Sequence, residues 1–392
     1  MARWSSDGLS QCTDKEQAAT CDGAATVIVM NAGQNTVTLG LLPGDGIGPE
    51  IVESACAVTE AALEGQGVTV DWQRLPFGRE AIETHGTPLP ETTVEALAGM
   101  EAWLLGPHDN AGYPEPFHIG KAPGGVIRKR FDLYANIRPA RALSARIAAL
   151  CPDMDVVIVR ENTEGFYSDR NMFAGAGEFM PTADVAMSIS LFTRSACERI
   201  AHTAFRLAAT RRQSVTIAHK ANVLPMTTGL FRDCALEVAK QYPQVAVRTE
   251  HVDALAALLA RCPGSFDVIV AENMFGDILS DLTGQLCGSL GVAPSINSSH
   301  TQAMGQAAHG AAPDIAGKGV ANPIGMILSS ALLLRWLADR HGRDELRSAA
   351  TAIEHAVTAV LDSGVFTADL GGHASTLEFA EAVSNHLAAQ SN

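Results

Sequence analysis

The sequence lacks the features that mark several broad classes of protein. No apolar run approaches the roughly 18 residues that a membrane-spanning helix needs. None of the eight cysteines forms a C-x-x-C pair, so a structural zinc site is not indicated. Positive charge is scarce, with 28 Lys and Arg against 43 Asp and Glu and a formal net charge of −15. We therefore expect no nucleic acid or membrane partner, and reduced thiols in a cytoplasmic protein.

The N-terminal segment lacks any helical or strand period. Met1–Ala25 is rich in Ser, Asp, Gln, Gly and Ala, and it has no apolar core segment of the kind a signal peptide requires. We predict that residues 1–36 are a disordered extension. The rest of the chain shows no internal repeat and no low-complexity linker, so no domain boundary is expected to be a flexible joint.

The remaining chain alternates short apolar runs with amphipathic segments, which predicts an α/β fold with a largely parallel sheet. A Gly-rich turn follows the first run, but it is not G-x-G-x-x-G, so the usual dinucleotide fingerprint is absent. The predicted strands are Val37–Leu42, Val68–Arg74, Ala102–Leu105, Val156–Val159, Ser214–Ala218, Val245–Glu250 and Val268–Val270. The predicted helices include Ile51–Glu64, Thr193–Thr210, Met226–Gln241 and Ile324–Asp339.

Two carboxylates lie four residues apart in ENMFGDILSD, directly after the last predicted strand. On a helix, Asp277 and Asp281 share one face about one turn apart, where like charges repel unless a cation lies between them. Oxygen ligands favour Mg²⁺ or Mn²⁺. Asp253 also ends a strand and is a candidate third ligand. From the spacing alone, an exposed acidic helix face is the favoured interpretation, because D-x-x-x-D is common.

Basic residues gather in one region of this acidic chain, and they predict a small polycarboxylate or phosphate as ligand, since arginine binds carboxylates bidentately. Solvated helix charge is the competing interpretation for Lys129 and Arg130. Tyr167 also fits a core aromatic. Lys220 follows a strand, where burial would lower its pKa towards a useful range. The other members of the basic set are Arg128, Arg138, Arg141 and Arg160.

A late segment, HGAAPDIAGKGVANP, has small residues at nearly every other position. Small residues allow a ligand to approach the backbone closely. His309, at the start of this segment, fits either a capped loop histidine or a contact to a nucleotide.

Taken together, six motifs resemble the isocitrate/isopropylmalate dehydrogenase family, the metal-dependent β-decarboxylating dehydrogenases of malate-type acids. The resemblance runs from about Leu39 to Glu381 and is closest to the isopropylmalate and homoisocitrate branches. It implies an isopropylmalate-dehydrogenase-like two-domain α/β fold with a largely parallel central sheet, not a standard Rossmann fold. The motifs are LLPGDGIGPEI, RKRFDLYANIRPAR, VIVRENTEGFY, AHKANVLP, ENMFGDILSD and HGAAPDIAGKGVANP.

The resemblance also implies roles for individual residues. It implies catalytic roles for Tyr167, Lys220 and Asp253, and substrate binding by Arg128, Arg138, Arg160 and Asn222. It implies metal binding by Asp253, Asp277 and Asp281, with Mg²⁺ or Mn²⁺. It implies NAD binding by His309, Gly310, Ala312, Asp314, Ile315 and Asn322, with the Asp314 carboxylate favouring NAD over NADP.

In this family Lys220 and Asp253 come from the neighbouring subunit, so a homodimer is implied. The implied large cofactor-binding domain comprises residues 37–136 and 290–392. The implied small domain, residues 137–289, carries the metal ligands and the dimer contact.

One departure concerns Gln306, three residues before His309, where members commonly carry Glu, so a carboxylate near the nicotinamide is lost at this position. The expected reaction is oxidative decarboxylation of a 3-substituted (R)-malate, and Ala122-Pro123-Gly124-Gly125 leaves room for an apolar group, which favours 3-isopropylmalate. Homoisocitrate or isocitrate, with Lys121 as a partner for a third carboxylate, is the first alternative. Tartrate or D-malate, and a non-catalytic regulatory subunit, are the others.

Overall fold

The computed structural model describes residues 35–118, 121–147, 149–167 and 177–390. The predicted extension, residues 1–36, lies outside these residues except for its last two positions, and Thr36 already begins the first strand. No helix of the described residues is long and apolar enough to cross a membrane.

The described residues alternate strands and helices along most of their length, as predicted. The strands are β1 Thr36–Leu42, β2 Thr69–Arg74, β3 Ala102–Leu105, β4 Ala135–Arg141, β5 Asp155–Glu161, β6 Glu178–Thr182, β7 Val185–Ser188, β8 Ser214–His219, β9 Ala246–His251, β10 Val268–Ala271, β11 Ile296–Ser298 and β12 Ala303–Gly305. The helices are α1 Gly48–Glu64, α2 Gly78–His85, α3 Glu91–Ala98, α4 Pro123–Arg130, α5 Arg194–Ala209, α6 Thr227–Ala239, α7 Val252–Arg261, α8 Asn273–Leu286, α9 Ile324–His341, α10 Asp344–Ser363 and α11 Thr376–Gln390.

Ten strands form one sheet in the order β2-β1-β3-β12-β11-β4-β5-β10-β8-β9, while β6 and β7 pair as a separate hairpin. Both outer thirds of the sheet are parallel, and only the β12-β11-β4-β5 segment is antiparallel. The prediction of an α/β fold with a largely parallel sheet is confirmed. The strands that the sequence did not predict are the antiparallel ones, β4, β11 and β12, and the hairpin.

Strand β5 shows how the sheet is covered on both faces, as parallel sheets require. Val157 and Val159 pack against α5 and α6, whereas Val156 and Ile158 pack against α7 and α8. Side chains alternate along a strand, so Arg160 continues the second set and points towards α8. This alternation places the arginine at the carboxyl end of β5, beside the helix that carries the two predicted metal ligands.

The Gly-rich turn after β1 brings two distant loops together. Gly46 has φ 59°, and a Cβ there would lie 2.0 Å from the Ala311 carbonyl oxygen. The Ile47 amide donates to that same oxygen at 2.9 Å, and the Asp45 amide donates to Pro107 O at 2.8 Å. The turn therefore fixes the start of α1 against the loop that begins at His309.

The hydrophobic clusters bear on the predicted domains without fixing their limits. One cluster joins β1 and α1 with α9, α10 and α11, whereas β5, β8 and β10 belong to two other clusters. Leu143 and Ile147, from the predicted small domain, nevertheless pack in the first cluster. The boundaries at 136/137 and 289/290 stay a prediction.

Candidate active site

Helix α8 begins at a buried carboxylate. Glu272, at the end of β10, accepts hydrogen bonds from the backbone amides of Phe275 at 2.8 Å and Met274 at 3.1 Å. Burial raises its pKa to about 6, against the lowering effect of these hydrogen bonds. This N-cap fixes the first turn of α8, and the helix then presents Asp277 and Asp281 one turn apart, as the spacing predicts.

Arg160 connects the end of β5 to this helix. Its side chain is 2 % exposed, its Nε donates to Asn273 Oδ1 at 2.9 Å, and its Nη1 forms an ion pair with Asp277. The approach depends on Gly276, because a Cβ at that position would lie 2.7 Å from Arg160 Cβ. The sequence thus supplies both the buried charge and the glycine that lets the helix reach it.

Arg138 approaches the same carboxylates from β4. Its Nη1 lies 3.3 Å from Oδ1 of Asp277 and 3.3 Å from Oδ1 of Asp281, and it donates to Ser280 Oγ at 2.7 Å. Burial lowers its pKa to about 10, with repulsion from Arg160 adding to the effect and the two aspartates opposing it. Two almost fully buried guanidinium groups therefore meet two carboxylates beside the carboxyl end of β5.

The two carboxylates differ electrostatically. Burial acts to raise the pKa of Asp277, but the charges of Arg160, Arg138 and Arg128 outweigh it, and the net pKa is lowered. Burial raises the pKa of Asp281, and repulsion from Asp277 adds to this against the attraction of Arg138. Asp277 is thus held ionised by the arginines, and a site of this kind can bind a cation and an anion side by side.

Tyr167 faces this cluster and is not a core aromatic. The ring is half-buried, and its hydroxyl donates to Asp277 Oδ2 at 3.3 Å. The Arg160 guanidinium carbon lies 5.9 Å from the ring centroid. A phenolic O–H between a carboxylate and an open cleft is positioned to give up a proton. Arg128, whose Nη2 donates to Gln306 Oε1 at 2.8 Å, adds a third guanidinium.

Lys220 and Asp253 form a separate pair. Lys220 follows β8 and donates through Nζ to Asp253 Oδ1 at 2.5 Å, which lowers the pKa of Asp253. Within the described residues of one chain, no hydrogen bond or ion pair joins them to Asp277, and no three acidic, His or Cys side chains converge as a metal site. One chain therefore assembles two of the three predicted metal ligands. Asn222 is exposed in the loop beyond Lys220.

The predicted nucleotide loop offers an unused polar atom. His309 Nδ1 donates to Gly310 O at 3.0 Å, whereas Nε2 is buried without a partner among the described residues. Burial lowers the pKa of the ring and so disfavours its charged form. Space around Gly310 is open, Ala312 has φ 39°, and Asp314 is exposed. These features fit a nucleotide that takes the open side of the loop.

Two other members of this predicted set pack inwards. Ile315 lies half-buried against the cluster formed by α1 and α9. Asn322 is buried, its Nδ2 donates to Asp369 Oδ2 at 3.0 Å, and its Oδ1 accepts from the Ile324 amide at 3.0 Å. Its amide is therefore engaged in holding the start of α9.

Sequence reasoning missed the polar residues that hold the arginines. Asn273 and Ser280 bond Arg160 and Arg138, and Asn136 Oδ1 accepts from Arg138 Nε at 2.8 Å. Asn136 lies directly opposite Arg160 in the β4–β5 register. The available signal was their spacing of one to four residues from the charged groups, but only strand pairing shows which ones meet.

A cavity of about 650 Å³ adjoins Tyr167 and α4. Its apolar wall includes Ala122, Gly125, Val126 and Phe166, and its charged residues are Lys121, Lys129, Arg130 and Glu178. Of the four residues predicted from the sequence to make room for the group on C3, Ala122 and Gly125 therefore line the cavity beside the predicted catalytic tyrosine, whereas Pro123 and Gly124 are buried and do not line it. Lys129 and Arg130 are exposed, as the interpretation of solvated charge anticipated.

Comparisons with known proteins agree with this geometry. The family model for isocitrate/isopropylmalate dehydrogenase matches residues 38–383. An isocitrate/homoisocitrate dehydrogenase of Thermus thermophilus is 43% identical over 344 residues, which cover 88% of this chain and 96% of the relative. A 3-isopropylmalate dehydrogenase of Archaeoglobus fulgidus is 41% identical over 351 residues, covering 88% and 98%. The crystal structure of isocitrate dehydrogenase from Methylococcus capsulatus superposes with a TM-score of 0.80 at 37% identity, covering 90% of this chain and 99% of that one.

The family model matches nearly all the described residues. The matched range includes β4 and β5, which carry Arg138 and Arg160, and the loop that begins at His309. The relatives are named as dehydrogenases of isocitrate, homoisocitrate and 3-isopropylmalate. The chain therefore belongs to the isocitrate/isopropylmalate dehydrogenase family.

Proposed function

We propose that the protein catalyses the NAD- and Mg²⁺- or Mn²⁺-dependent oxidative decarboxylation of a 3-substituted (R)-malate, with 3-isopropylmalate as the preferred substrate. The observation that carries the proposal is the meeting of Arg138, Arg160 and Tyr167 at Asp277. Guanidinium groups bind substrate carboxylates, and an adjacent carboxylate pair suits a hard cation.

The residues have distinct tasks in this reaction. Arg128, Arg138 and Arg160 hold the malate carboxylates, while Lys220 takes the proton of the C2 hydroxyl. Tyr167 delivers a proton to the carbon that loses CO₂. When bound, NAD would accept the hydride and the divalent ion, held by Asp277 and Asp281, would polarise the C2 oxygen.

The proposal includes a homodimer in which the partner contributes Lys220 and Asp253. Three features support it. The Lys220–Asp253 pair faces outwards, with Asp253 67% exposed. The β6–β7 hairpin is exposed throughout and carries Met180 and Met187, and Ile278 is 58% exposed on the helix that bears Asp277. Large exposed apolar side chains next to a site are typical of an interface.

The proposal also includes a cytoplasmic location. The six described cysteines are free thiols, which supports it.

The cavity beside Tyr167 supports two substrate classes. Its apolar wall suits the branched alkyl group of 3-isopropylmalate. Its cations, Lys121 among them, favour homoisocitrate as a second candidate, because a third carboxylate could pair there. Isocitrate, D-malate and tartrate rank below these, and the Tyr167–Asp277 contact argues against a non-catalytic subunit.

The test measures NADH formation with NAD and Mn²⁺ on a panel of 3-isopropylmalate, homoisocitrate, isocitrate and D-malate. We expect the highest kcat/KM for 3-isopropylmalate, and little change with Lys121→Ala. If a tricarboxylate has the highest kcat/KM in the wild type, and no longer has it in Lys121→Ala, then Lys121 determines specificity and the proposal of 3-isopropylmalate is wrong. No NADH with any acid would contradict the proposed reaction.

A further inference from the structure

Gln306 lies between the arginine cluster and the nucleotide loop. It is one residue beyond β12 and three before His309, and it is only 6 % exposed. Its backbone amide donates to Ser295 O at 3.0 Å, so its position is fixed by the sheet. Its Oε1 accepts from Arg128 Nη2 at 2.8 Å.

The chemistry of arginine fixes the orientation of this amide. A guanidinium has donors only, so the carbonyl oxygen of Gln306 must face Arg128, and the NH₂ group must face elsewhere. Nε2 finds no acceptor among the described residues, and it is not sealed from solvent. Two N–H donors are therefore available beside the Arg128 guanidinium.

The Gln306 side chain carries no charge, and this affects how strongly Arg128 can bind an anion. A glutamate here would form an ion pair with Arg128 and reduce the positive charge that Arg128 presents to a substrate carboxylate. Glutamine orients the guanidinium without neutralising it. Arg128 is one of the three arginines proposed to hold the malate carboxylates, so Gln306 contacts the proposed substrate site through this guanidinium.

We propose that Gln306 is a substrate-binding residue. Its Oε1 orients Arg128, and its Nε2 donates to the carboxylate that Arg128 holds. The ligand class is a malate-type acid with a carboxylate at Arg128, which rests on the proposed function. An amide in place of a carboxylate leaves the positive charge of Arg128 available to a substrate carboxylate.

The isosteric variant Gln306→Glu tests this proposal, with binding measured by calorimetry on the intact protein with Mn²⁺. We expect the dissociation constant of the best panel acid to rise by at least about tenfold, since a like charge is placed beside the substrate carboxylate. The dissociation constant of NAD should stay within about twofold, because the new charge lies on the acid side. In the panel assay the loss should fall on KM more than on kcat, because the change weakens binding of the acid.

Gln306→Met is the matched control, because it removes the amide without adding charge. We expect a smaller rise in the dissociation constant than with Gln306→Glu, and thermal unfolding of both variants reports whether the fold is kept. In an Arg128→Met background the effect of Gln306→Glu should shrink, since the two residues act together.

Two results would overturn the inference alone: an unchanged affinity of Gln306→Glu for the acid, or a loss confined to NAD, which would assign Gln306 to the nicotinamide. In both cases the wild-type protein still oxidises an acid, so the proposed function stands. A wild-type protein that neither binds nor oxidises any acid of the panel would remove the proposed function and this inference together.

Discussion

Asp277 is the residue on which the most charges converge. It contacts Arg138, Arg160 and Tyr167, and three guanidinium groups hold its pKa below the ordinary value. A depressed carboxyl pKa contributes stability above the unfolded pKa, and this stability is lost as the pH falls through the folded pKa. The same residue therefore balances buried positive charge and, in the proposed reaction, holds the metal.

Replacing Asp277 by Asn is the first prediction. Loss of a residue that only hydrogen-bonds a metal ligand typically lowers activity by about 10- to 100-fold. We expect a larger loss for Asp277→Asn, because this change removes an anionic ligand of the metal itself. NADH formation across a Mn²⁺ titration measures this. Asp233→Asn, at an exposed pair with Arg232, is the control and should behave as wild type. Wild-type turnover of Asp277→Asn at limiting metal would disprove the metal assignment.

The second prediction concerns Asp314, which is exposed on the loop that begins at His309. Its carboxylate can accept hydrogen bonds from ribose hydroxyls and repels a 2′-phosphate. We expect kcat/KM to favour NAD over NADP by at least about 10², since placing like charges together costs several kcal/mol. Asp314→Lys should reduce this ratio, whereas Asp344→Lys, at an exposed position on α10, should not. Similar kcat/KM values for NAD and NADP in the wild type would contradict the predicted preference for NAD.

Among the secondary-structure elements, α8 links the fold to the site most directly. It follows β10, is capped by Glu272, and approaches β5 through Gly276. A capping carboxylate with a raised pKa is unusual, because hydrogen bonds from backbone amides ordinarily favour the charged form. Burial wins here, so the start of the helix is coupled to pH.

The third prediction follows from the pKa of Glu272, which burial raises from 4.5 to about 6. The stability linked to this group is fully present below pH 4.5 and is lost as the pH rises through about 6. Relative to Glu272→Gln, the wild type should lose about 2 kcal/mol of unfolding free energy between pH 4.5 and 7, since one pKa unit is about 1.4 kcal/mol. Urea unfolding at fixed protein concentration measures this difference.

Glu237→Gln is the control for this comparison. Glu237 lies on α6 and forms an exposed ion pair with Lys240, which directly follows the helix, so the difference in unfolding free energy between this variant and the wild type should not change in this way with pH. A difference between Glu272→Gln and the wild type that stays constant with pH would mean that the cap is ionised throughout this range.

For the whole molecule, the central question is whether one chain forms a complete site. The described residues of one chain join Arg138, Arg160, Tyr167 and Asp277, whereas Lys220 and Asp253 pair at the surface. A symmetric dimer would bring the second pair to the first cluster twice, once at each site.

The fourth prediction is that two inactive variants complement each other. Tyr167→Phe and Lys220→Ala should each lose most activity alone. After denaturation and refolding of a 1:1 mixture, about a quarter of wild-type activity should return, because half the dimers are mixed and each has one intact site. Separately refolded samples of each variant are the controls. If mixed dimers form but no activity returns, Tyr167 and Lys220 of the same chain act in one site, and the proposed sharing between subunits is wrong.

The sequence by itself determined the parts of this protein that depend on local pattern. Five of the parallel strands are rich in apolar and β-branched residues, so β1, β3, β5, β8 and β10 could be predicted within one or two residues. The four-residue spacing of Asp277 and Asp281 required only that α8 be a helix. The family motifs carried the arginines, the tyrosine and the nucleotide loop, because those residues occur in fixed local contexts.

Tertiary structure decided the rest. Strands β4, β11 and β12 are short or interrupted by polar residues, and only pairing across the sheet makes them strands. The meeting of Arg138 with Asp277 and Asp281 joins residues about 140 positions apart, and the contact of Gln306 with Arg128 joins residues 178 apart. Such contacts depend on strand order and on the close approach at Gly276, and no local pattern encodes either.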